Sequence, residues 1–63
     1  MTLKIIERDP ETFEYILDGT SIATATHDNL GWEGIDILDT ALRTMAELLD
    51  IDVVDVVDEE EVD

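Results

Sequence analysis

The residue pattern predicts an α+β fold, a three-stranded antiparallel β-meander packed on one amphipathic helix. Two observations predict it. In the first 27 residues, short β-branched or alternating runs are separated by the turn dipeptides Asp9-Pro10 and Asp18-Gly19. From about residue 30 to 50, apolar side chains recur every three or four positions, the spacing of one helical face. Residues 51–57 are β-branched, with room for a short fourth strand, and all but one of residues 58–63 are acidic. The division expected is one small domain over residues 1–57, then an acidic, disordered tail over 58–63.

Leu3-Lys4-Ile5-Ile6-Glu7-Arg8 is short and β-branched, which sets a strand at about residues 3–8. Asp9-Pro10-Glu11-Thr12 reads as a type I turn, since Pro presets φ and Asp bonds the backbone ahead of it. A second strand at about 13–18 puts Phe13, Tyr15 and Leu17 on one face and Glu14 on the other. Asp18-Gly19 closes a hairpin, because Gly19 tolerates positive φ. Ser21 to His27 supplies the third strand, at about 21–27. The first strand is expected at an exposed edge, where Lys4 discourages stray pairing.

The helix is expected at about residues 30–50, capped by Asp28 or Asn29. On a helical projection, Asp36, Asp39, Thr40, Arg43 and Glu47 share one side. Ile35, Ile37, Leu38, Ala41, Leu42, Met45, Ala46, Leu48 and Leu49 fill an arc of about 180°, and no charge enters it. Asp39–Arg43 and Arg43–Glu47 are spaced for i,i+4 ion pairs worth ~0.2–0.5 kcal/mol each. Beyond Asp50 the pattern breaks, because Asp52 would enter the apolar arc.

A helix on one small sheet needs an apolar stripe of only about 100°. The excess predicts a homodimer, through the helix flank or the sheet edge. The dimer seam is placed at Ile35, Leu38, Leu42, Met45 and Leu49, with Ile37, Ala41 and Leu48 as a second flank. The small size and the absence of cysteine point the same way, since no disulfide supplements the core. A curled sheet or a fourth strand over the second flank is the alternative.

Charge narrows the function classes. The 63 residues carry 18 acids and 3 bases, a formal net charge of −15. Residues 50–63 alone hold eight acids and no base. Direct binding of nucleic acid or of an anionic membrane is excluded, because both gain affinity from Lys and Arg. Disorder throughout is excluded by 20 Leu, Ile, Val and Phe residues. No run is long and apolar enough to cross a membrane, and the first residues do not read as a signal peptide, so the expected location is cytoplasmic.

Chemistry-bearing constellations are sparse. His27-Asp28 is an acid–base pair in sequence only, and it fits a strand-end His beside a helix cap better. Ser21 is the only Ser and there is no Cys, so no nucleophile with a base is legible. One His cannot build an ordinary zinc site. Counted from Asp50, an EF-hand loop fails at Val54 and Asp55 although Glu61 fits. Gly31-Trp32-Glu33-Gly34 is too short and too acidic for a phosphate loop. The expectation is therefore no catalytic residue, no metal and no cofactor.

Trp32 is the only Trp, with two readings: an exposed anchor, or a core residue folded back on the sheet between Gly31 and Gly34. It joins Glu33, Asp36, Asp39, Glu47, Asp55, Asp58, Glu59, Glu60 and Glu61 as candidate contacts for a basic protein partner. The leading function is a small non-catalytic binding or assembly protein. Its acidity would serve solubility or a high-salt cytoplasm, for which one Lys, seven Thr and five Val also speak. The alternative is a nucleic-acid mimic of the viral anti-defence type, blocking a basic groove with carboxylates.

Overall fold

The computed structural model describes residues 1–57. It contains β1 (Thr2–Asp9), β2 (Thr12–Leu17), β3 (Thr20–Thr26), α1 (His27–Leu48) and β4 (Asp52–Val57). The strands form one sheet in the order β3-β2-β1-β4. β1–β2 and β2–β3 are antiparallel, as the meander requires, and β4 pairs parallel to β1. The segment 58–63, with its expected disorder, lies outside the described residues.

Local chemistry explains the meander. Asp9 Oδ1 accepts the backbone N–H of Glu11 at 2.9 Å, so the side chain closes the first turn beside Pro10. Asp18 and Gly19 both take positive φ, 50° and 89°, which matches the hairpin twist. A bulge between Tyr15 and Ile16 leaves Ile22 as an extra residue on β3. Ile22 and Ala23 thereby sit beside one another opposite Tyr15.

β1 is interior, which corrects the expected exposed edge. Three antiparallel strands leave the chain at the end of the sheet where β1 also finishes. α1 carries it back along the sheet, so the next strand runs in the direction of β1. It pairs on the edge that β1 would otherwise expose, from Thr2↔Asp52 to Glu7↔Val57. β3 and β4 are the edges.

The helix differs from its expected start. Thr26, not Asp28 or Asn29, is the N-cap, and its Oγ1 accepts the Asn29 N–H at 3.3 Å. Gly31 then breaks the helix with φ 72° and ψ 170°. The long run begins at Trp32, inside the expected window. At the other end, Asp50 takes φ 60°, Ile51 N–H donates to Ala46 O at 2.8 Å and Asp50 N–H to Glu47 O. These two bonds form a Schellman cap, with Ile51 packing against the core.

The core lies between the helix and one sheet face. Leu3, Ile5, Tyr15, Ala25, Ile35 and Ala46 are buried there, with Leu38, Leu42 and Val53 packed around them. Ala25 and Ala46 are small, which lets the helix come close to the sheet. The other sheet face has no layer over it among the described residues. Its register places Ile6 beside Glu14 and Val56, and Lys4 beside Ile16 and Val54.

Candidate functional site

α1 presents three surfaces, and the sheet decides which. Ile35, Leu38, Leu42 and Ala46 face the core. Three of the five residues placed in the dimer seam are therefore directed at the chain's own sheet, Ile35 with only 7 % of its surface exposed. Met45 and Leu49 remain 53 % and 64 % exposed. The flank that stays in water is Ile37 (64 %), Ala41 and Leu48 (78 %) together with Met45. These four step by 4, 4 and 3 along one helical face.

The second surface is a polar brace between helix and sheet. Tyr15 is fully buried, and its hydroxyl donates to Asp39 Oδ1 at 2.9 Å. Asp39 Oδ2 accepts from Arg43 Nε at 2.7 Å. Arg43 then donates through Nη2 to Asp55 Oδ1 at 2.6 Å and through Nη1 to Asp55 Oδ2 at 3.2 Å. The chain of bonds ties β2, α1 and β4 together. Burial, then the bond to Asp39, pushes the Tyr15 hydroxyl well above its ordinary range. Hydrogen bonds to Asp55 and Asp39 hold Arg43 more firmly protonated, and Arg43 in turn holds the Asp55 carboxyl below its usual range.

Asp39 and Asp55 were candidate contacts for a basic partner, but both are engaged inside the chain. The expected Asp39–Arg43 ion pair is present. Arg43 directs Nη1 and Nη2 to Asp55 rather than to Glu47. The i,i+4 spacing announced the first pair. Nothing local announced Asp55 or Tyr15, which reach Arg43 and Asp39 only once β4 and β2 lie under the helix. On the open face, Arg8 donates to Glu14 Oε1 through Nε at 2.9 Å and Nη2 at 2.6 Å. Bonds from Arg8 and Ser21 hold the Glu14 carboxyl low.

Asp55 gives the first testable consequence. A carboxyl whose folded pKa is depressed contributes stability above its unfolded pKa, and that contribution disappears as pH falls through the folded value. The stability difference between the wild type and Asp55→Asn should therefore be full above about pH 5 and close as the solution is acidified below about pH 4. The gap should not exceed about 1 kcal/mol, because solvent screens so exposed a pair. Chemical denaturation of both proteins at pH 7 and pH 3 checks this. A gap that persists unchanged at pH 3 contradicts the ion pair.

The third surface is an open cleft of about 430 Å³ lined by residues of both the helix and the sheet. Phe13, Glu7 and Val57 line its sheet wall, Trp32, Ile35 and Asp36 its helix wall, and the Tyr15–Asp39–Arg43 brace its back. Trp32 is 53 % exposed and packs on His27, with ring centroids 4.6 Å apart. The exposed reading of Trp32 therefore holds and the core reading does not: the helix runs through Trp32 from the Gly31 break, and the ring is not among the residues packed on the core. Glu33 and Glu47 are exposed and lie outside this cleft, while Asp58, Glu59, Glu60 and Glu61 are outside the described residues. Among the described residues, no group of three or more His, Asp or Glu is placed to hold a metal ion. Among the same residues, no helix is long and apolar enough to cross a membrane.

No protein-family description matches this chain, and neither curated proteins nor solved structures give a match. The class defined by the structure is a two-layer α+β domain with an apolar stripe on α1 that no other described residue covers.

Proposed function

We propose that this chain is a non-catalytic, acidic assembly protein that pairs with itself through the outer face of α1. The observation that carries the reading is the stripe of Ile37, Ala41, Met45 and Leu48, which the protomer leaves in water although it is as apolar as the core stripe beside it. Contiguous apolar surface of this kind marks an interaction site.

A second copy fits the stripe by symmetry. In an antiparallel helix pair about a twofold axis, position i meets j and j meets i. With the axis near residue 43, Ile37 lies against Leu48 of the other copy and Ala41 against Met45. A small residue then receives a long flexible one, twice.

The acidity acts on the same equilibrium. Each copy brings a formal charge of −15, so pairing is opposed by repulsion that salt screens. Dimerisation should strengthen from 0.1 M to 2 M KCl, and a high-salt cytoplasm is the setting in which such a chain would work. Light scattering across that range should show the mass rising from 7.1 kDa towards twice that value. Leu48→Glu and Ile37→Glu should hold it at one subunit without loss of helix, since both side chains are exposed in the protomer. Val54→Glu, on the open sheet face, should leave the dimer intact. A monomer in 2 M KCl at micromolar concentration, or a dimer broken only by Val54→Glu, overturns the proposal.

A further inference from the structure

The cleft beside the helix is lined differently from the self-pairing face. Its two walls repeat one motif, an aromatic ring with a carboxylate next to it. On the sheet wall, Phe13 and Glu7 are direct cross-strand partners. On the helix wall, Trp32 and Asp36 are four residues apart and share one face. The back of the cleft is closed by the Tyr15–Asp39 bond. Asp39 and Asp55 already have Arg43 as partner. Glu7 and Asp36 form no ion pair among the described residues, so no cation of the chain's own competes for them there.

We infer that this cleft binds an alkylammonium group, supplied either by a free polyamine or by a lysine side chain on another protein. Phe13 and Trp32 both line the cleft, and an ammonium against an aromatic face gains from the ring quadrupole. Two flanking carboxylates add charge-assisted hydrogen bonds. Ile35 and Val57 offer apolar surface to the methylene stem. The volume of about 430 Å³ lies within the range of small-ligand clefts, about 300–1,000 Å³. A carboxylate or phosphate ligand is disfavoured at the same place by Glu7 and Asp36. The inference is independent of self-pairing, because Ile37, Ala41, Met45 and Leu48 do not line the cleft.

Trp32, the only Trp, reports directly on occupancy through its fluorescence. The full chain is titrated with N-acetyl-lysine amide, spermidine and N-acetyl-norleucine amide, at constant ionic strength set by KCl. Saturable responses to the lysine derivative or to spermidine, with norleucine amide at least about tenfold weaker, are expected, a factor of ten being about 1.4 kcal/mol. The tighter of the two amines identifies the source. Diffuse attraction by a highly acidic protein is separated by two double variants of equal charge. Glu7→Gln with Asp36→Asn should weaken binding about tenfold or more, within the range of two lost charge-assisted bonds. Asp18→Asn with Asp52→Asn removes two acids at the far end of the sheet, about 16 Å along β1 from Glu7, and should change it less than about twofold. Circular dichroism confirms that both remain folded. Equal binding of norleucine amide, equal loss in the two double variants, or no saturation overturns the inference.

Discussion

Replacing Tyr15 by Ala is expected to leave the chain largely unfolded at 25 °C in 0.1 M salt. The ring is fully buried at the centre of the helix-facing layer, between its cross-strand partners Ile5 and Ala23. Removing a large buried aromatic side chain costs about 3–5 kcal/mol, as transfer free energy and residual cavity together. A chain of this length has a total stability of only about 3–9 kcal/mol. No second aromatic is fully buried to compensate among the described residues. Tyr15→Phe separates the ring from its hydroxyl. It keeps the volume and leaves Asp39 Oδ1 without its donor, at about 1–2 kcal/mol, because part of Asp39 still reaches water. Thermal melts by circular dichroism check both. An alanine variant that melts within a few degrees of wild type would mean the centre of the core lies elsewhere.

Gly31→Ala is expected to destabilise the fold by about 1–3 kcal/mol, the usual cost of forcing a side chain into a backbone region open almost only to Gly. At φ 72° and ψ 170°, Gly31 lies in that region. The sign of this effect is informative. Within a continuous exposed helix, Gly→Ala would stabilise by roughly 1 kcal/mol. The break is built in from both sides. Thr26 caps the short turn before it, and Leu30 Cβ packs 2.8 Å from where a Gly34 Cβ would be, closer than a side chain at that position would allow. The break also sets where Trp32 enters the cleft wall. Gly31→Ala should therefore shift Trp32 emission and weaken its contact with His27, as well as lowering the melting temperature. Stabilisation without a change in emission would show that residues 27–48 form one straight helix in solution.

The parts of the fold that were legible are local. Asp9-Pro10 and Asp18-Gly19 encode their turns within four residues, so the three-strand meander could be read without knowing what it packs on. The helix was legible from its period, and its end near Asp50 from the position where an acid would have entered the apolar arc. The cap was misplaced by two or three residues because the side-chain oxygens of Thr26, Asp28 and Asn29 are all competent acceptors for the N–H groups of a helix start. Only the Gly31 break decides which backbone N–H groups are left over.

The candidate site was legible only in pieces. Glu7 and Phe13 read as ordinary strand residues, and their pairing opposite Trp32 and Asp36 depends on the angle between helix and sheet. Asp39 and Asp55 looked like surface acids available to a basic partner. Their engagement by Arg43 requires β4 to lie beside β1, a pairing of residues about 50 apart in sequence.

The amino-acid sequence by itself determined the α+β class, the meander, the helix with an apolar arc too wide for one small sheet, and the acidity that any association must overcome. Those properties follow from turn chemistry, side-chain period and charge, which act over a few residues or over the whole chain at once. Tertiary structure alone decided that the helix returns the chain parallel to β1. It also decided that Ile35, Leu38 and Leu42 face inward while Ile37, Met45 and Leu48 stay in water, and that Arg43 joins Asp39 to Asp55. The physical reason is that a half-cylinder of similar apolar residues fits a sheet in more than one rotation. In the observed rotation the Tyr15 hydroxyl, which needs an acceptor, finds Asp39 Oδ1 at 2.9 Å.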